Sequence, residues 1–538
     1  MKMKLRNLMS LCLALMLVLS GLGAVQAESA PFEITVYNGP EPSSLDPSTL
    51  HANDLIDLIA HMFEGITKIS PNGGTELAQA ASYTVSEDQL TWTFTLRDDI
   101  FWSDGVPVKA QDFVYSWRRL VSGPYDFNYF LDMLENAVAI QDGQDPATLG
   151  VEAPDDKTLV LKLIAPCPYL FDVLAFADLV PLRKDIITQY GDEWCLDPAT
   201  YISNGAYTLK EWINQDHLTM VANDLYYDRA NLGPDIINWL LLDNDTTALA
   251  SFESGELIYA ANFPTDETAR LASMGVLNID SLAGTYYVLL NQHPEKGPEV
   301  LKDLRVRQAL SLAIDREYLV ESVTKTGEVA ADAWIPEGFL EADGSDYHDH
   351  TVKWWDNSAY DANVAKAQEL LAEAGYANGA GFPQLSFMLN PSARNQSIAE
   401  YCSAAWKEAL NIDVSIESQE WQVFLDSRDA AEYNMARSGW TVDYLDVNSL
   451  MELWLTGGGN NDAHYSNPEY DALISAAQKE ADPVKRLSLY HQAEAILAAD
   501  LPIIPLYFYT DSYVFDRSAY DGFYSYLAMP YFKYLTAK

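Results

Sequence analysis

SIAEYCSAAWKEALNIDVSIESQEWQVFLDSRDAAEYNMARSGWTVDY, residues 397–444, carries two periodicities in turn. Ile398, Cys402, Ala405, Trp406 and Ala409 recur at helical spacing, and Ile412, Val414 and Ile416 then alternate with polar residues as in a strand. A short helix around Phe424 follows. A second alternating run comes next, with Tyr433, Met435, Arg437 and Gly439 on one face and Asn434, Ala436, Ser438 and Trp440 on the other. Helix, strand, helix, strand is the order of an α/β layer, and open sheets of that kind bind ligands beyond the carboxyl ends of their strands. Asp443 falls in the turn at that end. Arg437 and Asp443 thus flank a Gly-Trp pair at about 20 Å of extended chain, room for opposite charges to grip both ends of a short zwitterionic peptide. The same spacing also fits an Arg437 paired with a neighbouring carboxylate and an Asp443 that caps a helix.

The chain has 538 residues and a formal net charge of −45. So acidic a surface repels phosphate backbones and argues against nucleic acid as a partner. Residues 1–27 have Lys2, Lys4 and Arg6, then an apolar run from Leu8 to Leu19, then small residues to Ala27, which is the pattern of a secretory signal peptide. Nothing later approaches the roughly 20 apolar residues of a spanning helix, so the expected mature protein is soluble and extracytoplasmic. Length suggests about three domains. Half-buried strands are expected at Leu90–Leu96 and Leu159–Leu163, and amphipathic helices at Ala110–Val121, where Phe113, Trp117, Leu120 and Val121 share a face, and after the N-cap Asp303. Cys402 reads as a core residue. Cys167 and Cys195 either close a loop contributing roughly 3 to 4 kcal/mol or remain two buried thiols.

Further stretches are EPSSLDP at Glu41–Pro47, FEGI from Phe63, TWTFTLRDDIFWSDGVPVKAQDFVYSWRRL at Thr91–Leu120 and SNGAYTLKEW at Ser203–Trp212. They continue with LRVRQALSLAIDR at Leu304–Arg316, ELLAEAGY at Glu369–Tyr376, SQEWQVFLDSR at Ser418–Arg428 and NNDAHYSNPEYDALI at Asn460–Ile474. In this order, and with GWTVDY, they resemble the oligopeptide-binding branch of the family 5 solute-binding proteins, the extracytoplasmic receptors of ABC peptide importers. The resemblance implies an α/β, two-lobed periplasmic-binding-protein-like clamp (type II, cluster C) with an additional α/β domain. Lobe I would comprise 28–63, 182–283 and 511–538, the additional domain 64–181, and the second lobe 284–510. Short peptides would be the ligand and the permease subunits of the importer, with their cytoplasmic ATPases, the partner. The receptor itself would be a monomer without cofactor or metal.

Carried over residue by residue, the resemblance makes Asp443 the partner of the peptide ammonium and Arg437, with Arg428 close by, the partner of a short peptide's carboxylate. Trp421 would wall a side-chain pocket, the alternative being core packing. Gly439 and Trp440, with His51, Ala52 and Asn53 from the other lobe, would lend backbone groups to the ligand. Arg394 and Asn395 stand where some relatives use a His for longer peptides, and Thr324 and Lys325 near where some use a Lys. Gly284 and Thr441 occupy positions that are bridged cysteines in some relatives. Cys12, within the apolar run and preceded by Leu11, departs from the lipid-modified pattern of many relatives.

An enzyme is the first rival reading, yet no HExxH, GxSxG or phosphate-binding glycine loop is present, and Gly457–Gly459 reads as a turn. His348 and His350 flank Asp349 without a third ligand and are expected to be exposed rather than metal-binding. The second rival is the same fold serving an oligosaccharide, dipeptide, nickel chelate or haem; Asp443 speaks against a sugar, which has no ammonium to neutralise. A peptide sensor or chaperone without transport is a third.

Overall fold

The computed structural model describes residues 30–538 apart from 38, 40, 43, 50–52, 126 and 243. Its backbone is organised by two long antiparallel strands, Leu277–Leu290 and Ile503–Phe515, which lie side by side at the centre of an eleven-stranded sheet. On one side of the pair the order continues through Met435–Thr441, Leu385–Leu389 and Val414–Ser418. On the other it runs through Tyr259–Ala260, Glu33–Tyr37, Ile236–Leu240, His217–Ala222 and Tyr207–Ile213. The two long strands belong to both halves. Between the Ser281–Thr510 pair and the Thr285–Phe508 pair their register slips, so that Leu282, Ala283 and Gly284 stand against Tyr509 alone. A bulge of this kind bends a ladder locally, and the expected lobe boundary at 283/284 falls on it.

Beyond the bulge the sheet is covered on both faces, which is why its strands read as nearly continuous apolar runs. Tyr286, Val288 and Leu290 enter one core, with Phe387, Met435 and Ile504, under the helices Leu304–Leu312 and Ala393–Leu410. Tyr287 and Leu289 enter the other, with Met388, Ala436 and Ile503, under Trp421–Asp429, Pro468–Ala477 and Pro483–Asp500. Asp303 caps its helix as expected, accepting from the Arg305 N–H at 2.9 Å. Cys402 is buried in the first of these cores.

The segment expected as the additional domain has a four-stranded antiparallel sheet, Ala80–Val85, Thr91–Leu96, Thr158–Lys162 and Val151–Glu152. The helix Ala110–Ser122 buries Phe113, Trp117, Leu120 and Val121. These residues share one continuous core with Ile34, Val36 and Trp239 of the first lobe. Arg119 on that helix pairs with Asp46 at 2.5 and 2.9 Å, both groups being largely withdrawn from solvent. The segment is thus packed as part of the first half of the molecule. It also reaches the second lobe, where Tyr169 stacks on Tyr444 with ring centres 4.4 Å apart.

Two expectations are settled against one alternative each. Cys167 and Cys195 do not bridge: both are buried free thiols, Cys195 lying 3.6 Å from the Ser44 hydroxyl and Cys167 near Arg486. His348 is buried rather than exposed; its Nδ1 lies 2.7 Å from the Ile335 carbonyl and its Nε2 3.2 Å from Asp332. His350 remains exposed, and among the described residues no group of side chains is arranged to hold a metal ion. Burial pushes the Cys402 thiol up to about 12 and raises Cys167 and Cys195 as well, which suppresses the reactive thiolate. We therefore expect the native protein, purified without reductant, to react negligibly with a thiol reagent, and Cys167, Cys195 and Cys402 all to react once it is unfolded. A single reactive thiol after unfolding would reveal a bridge.

Candidate functional site

Met435–Thr441 is paired unequally on its two sides. It matches Leu277–Leu290 at every residue, from Met435 opposite Leu290 to Thr441 opposite Gly284. It meets Leu385–Leu389 only at Met435 and Ala436. From Arg437 onward no strand among the described residues pairs with the outer edge. A half-buried row of backbone N–H and C=O groups at the mouth of a cleft is a template for an added strand. Gly439 and Trp440, expected to lend backbone groups, lie on this edge. The Gly284–Thr441 pair sits cross-strand, and Gly284 packs so closely that a Cβ would come 2.4 Å from the Trp440 carbonyl oxygen.

Strand parity aims Arg437 and Gly439 at the same face as Tyr286, opposite Gly439, and Val288, opposite Arg437. Gly439 gives the Tyr509 side chain its place, since a Cβ would meet the Tyr509 hydroxyl at 2.1 Å and the ring would have to shift. Arg437 lines a cavity of about 420 Å³ with Arg394, Asn395, Glu328, Tyr507 and Tyr509. Asn262 and Phe263 line it as well. Its Nε donates to Asn390 Oδ1 at 2.7 Å, and its guanidinium lies over the rings of Trp421 and Phe424 at 5.3 and 5.4 Å. Among the described residues no carboxylate pairs with it. Trp421 is 46% exposed and stacks on Phe424, so it is not a core residue. Trp440 faces the opposite core, its indole N–H without a partner among the described residues.

The two other arginines expected at the site are already paired. Arg428 pairs with Asp462 at 2.6 Å and donates to the Ser438 hydroxyl at 3.2 Å, so its charge is balanced within the protein. Arg394 pairs with Glu328, and Asn395 accepts from the Tyr286 hydroxyl at 3.2 Å. Lys325 is exposed, and Thr326 and Glu328, just beyond it, line the cavity instead. His51 and Ala52 lie outside the described residues; Asn53 opens the helix Asn53–Met62. None of Tyr286, Tyr507, Tyr509 or Glu328 was expected at the site. Tyr507 and Tyr509 carry a visible signal, two aromatic residues of one parity in the run PLYFYT; Glu328 carries none.

Asp443 lies just past the strand, its N–H 3.4 Å from the Ser449 hydroxyl. Around it is a cavity of about 80 Å³ lined by Ile56, Phe127, Phe176, Leu282 and Met529, side chains that bring no charge. Its carboxylate accepts a hydrogen bond from the Tyr129 hydroxyl, contributed by the additional domain. No cation pairs with it among the described residues. Burial pushes the Asp443 carboxyl up to about 6, the Tyr129 hydrogen bond opposing. Nearby Glu452, which accepts from Asn448 at 2.7 Å, is pushed up to about 7 by burial, with the Asp443 charge contributing. One end of the open edge is therefore short of a cation and the other short of an anion.

Residues 75–462 match the model of the bacterial extracellular solute-binding proteins, family 5 Middle. The chain belongs to this family. It is 33% identical over 483 residues to the periplasmic oligopeptide-binding protein OppA of Salmonella typhimurium, which covers 88% of this chain and 87% of that one. The unliganded open form of the periplasmic murein tripeptide-binding protein MppA superposes with a TM-score of 0.80 and 31% identity, covering 95% of this chain and 98% of that one. Haemophilus influenzae OppA in complex with RPPGFSPFR gives 0.75 and 30%, covering 95% and 99%. The fold is thus the mixed α/β, multidomain architecture of these family 5 proteins, and no helix among the described residues is long and apolar enough to cross a membrane.

The raised Asp443 carboxyl has a consequence for stability. Between its ordinary value of 3.8 and about 6 the folded state holds this proton more tightly than the unfolded chain, so the group's contribution falls as pH rises through that window. Above it, the charged form costs about 3 kcal/mol, two units at 1.36 each. Asp443→Asn should therefore melt at a higher temperature than wild type at pH 7.5 without ligand, and the difference should vanish near pH 4. An equal or lower melting temperature at pH 7.5 would show that a cation already compensates Asp443.

Proposed function

We propose that the protein is an extracytoplasmic receptor that captures short peptides between its two lobes and delivers them to an ABC importer. Asp443 takes the peptide ammonium and Arg437 the carboxylate of a short ligand. The backbone of Arg437–Thr441 extends its ladder onto the ligand strand. The observation that carries this reading is an unpaired strand edge bounded by two uncompensated charges of opposite sign. An extended zwitterion is the ligand class that satisfies all three at once. Main-chain pairing recognises what every peptide shares, and the aromatic walls at Trp421, Tyr507 and Tyr509 accept varied side chains. The relatives named for oligopeptides and the structure holding RPPGFSPFR support it.

The permease subunits of the importer are the partner this reading implies, and the receptor acts as a monomer that the leader at residues 1–27 directs across the membrane. The division into lobe I, the additional domain and lobe III at the boundaries given above is part of the same proposal, supported by the bulge at 282–284.

Ligand that binds only the native state raises its melting temperature. Tri- to pentapeptides with free amino termini should do so, and cello- or xylo-oligosaccharides should not; the reverse result would reject the ligand class. Calorimetry on wild type and Asp443→Asn, each with a free and an N-acetylated tetrapeptide, forms a double-mutant cycle. Breaking a buried ion pair costs about 3 to 5 kcal/mol, so a coupling of that order is expected. Near-zero coupling with both proteins folded would remove Asp443 from the ammonium site.

A further inference from the structure

The cavity at the carboxylate end holds two guanidiniums in opposite electrostatic states. Arg437 has one hydrogen bond to a neutral amide and two aromatic rings beside it, leaving its Nη groups without a partner among the described residues. Arg394, in the first turn of Ala393–Leu410, lines the same cavity but has its charge matched by a buried carboxylate. It pairs with Glu328 and donates to the Thr326 hydroxyl at 3.2 Å and the Tyr507 hydroxyl at 3.3 Å. Glu328 has a side chain only 3% exposed. It accepts from the Thr324 hydroxyl at 2.9 Å, from the Thr326 N–H at 3.1 Å and from the Thr326 hydroxyl. Burial pushes the Glu328 carboxyl up, yet Arg394 and the two threonines overcome it and hold the group below its ordinary value. The carboxylate is therefore charged, and it cancels Arg394.

We propose that Glu328 sets the length of peptide this cleft accepts, by withholding Arg394 from the ligand carboxylate. The inference rests on the peptide reading above and deepens it. Six fully extended residues would span at most roughly 20 Å, and the strand ends at Thr441, so the gap between Asp443 and Arg437, less the reach of both side chains, leaves room for at most about three to four residues. A ligand of that length ends on Arg437, which no carboxylate pairs with among the described residues. The carboxylate of a longer peptide passes Arg437 and approaches the Arg394–Glu328 pair, where the attraction of one partner is offset by the repulsion of the other. To use Arg394 it would have to displace Glu328, and an unpaired carboxylate with this burial is strongly unfavourable. Binding energy thus stops growing with length at Arg437, although the cavity has space beyond.

Removing the charge of Glu328 while keeping its shape should release Arg394. Calorimetry with tri-, tetra-, penta- and hexa-alanine, free at both ends, on wild type, Glu328→Gln and Glu328→Gln/Arg394→Met reads the effect. Wild type should prefer the short members. Glu328→Gln should strengthen penta- or hexa-alanine at least about tenfold relative to tri-alanine, the scale of one uncancelled charge pair in a cleft. That gain should disappear with C-terminally amidated hexa-alanine and in the double variant. An unchanged length profile in folded Glu328→Gln, or a gain that survives loss of Arg394, would overturn the inference. If Glu328→Gln does not melt cooperatively, the double variant, which buries no lone charge, decides alone. A loss of long peptides relative to wild type would then show that Arg394 already serves the ligand and would reject the proposal, and an unaltered profile would uphold it. Binding of no peptide by wild type would fail the peptide reading and this inference together, whereas binding with an unresponsive length profile fails only the latter.

Discussion

The ladder between Leu277–Leu290 and Ile503–Phe515 is the constraint on which the molecule depends. Because both strands run through both halves, the lobes cannot separate without breaking backbone hydrogen bonds, and they can rotate only where the ladder is already irregular. Of the two such places, at Leu282–Gly284 and between Tyr286 and Tyr287, the first is the larger bulge. It is also where the cleft lies: Leu282 lines the Asp443 cavity, and Tyr509, its opposite number, lines the Arg437 cavity. On the proposed reading, the place where the lobes can turn and the binding surface are built from the same few residues. A ligand bound across them acts directly on the angle between the lobes.

The second organising fact is an asymmetry of commitment among charges. The described residues hold many ion pairs, and most arginines near the cleft are spent in them: Arg428 on Asp462, Arg394 on Glu328, Arg486 on Asp446. Asp443 and Arg437 are left over. A charge left uncompensated in a partly dry site costs stability, and that cost is recovered when a ligand supplies the counter-charge. The site resembles an ion pair whose two halves have been set apart and held for an intervening molecule.

Much of this was legible in the sequence, and the rest was not for identifiable reasons. The parity of Met435, Arg437 and Gly439 and the position of Asp443 past the strand follow from a period of two, as the helix at Ala110–Ser122 and the cap at Asp303 follow from local rules. What local pattern cannot show is which distant partner a side chain meets. Asp443 meets Tyr129, and Arg394 meets Glu328 from 66 residues away. The resemblance set Arg428 near the ligand, and nothing in its local pattern shows the pair it makes with Asp462. His348 looked exposed in an acidic loop, yet it is buried beside Asp332. Cys167 and Cys195 invited pairing by their separation alone, whereas the fold lodges one by Arg486 and the other by Ser44.

The placement of Asp443 and Arg437 at opposite ends of one edge bears on how a loaded receptor is told from an empty one. A zwitterion that fills the cleft at neutral pH brings one positive and one negative charge, so a molecule carrying a formal charge of −45 gains none. Its long-range field, the property that steers proteins toward each other, is then nearly the same with and without cargo. A partner that tells a receptor loaded with such a net-neutral peptide from an empty one then has outline rather than potential to read. The one large-scale difference available to it is the relative attitude of the two lobes, set at three residues of irregular ladder.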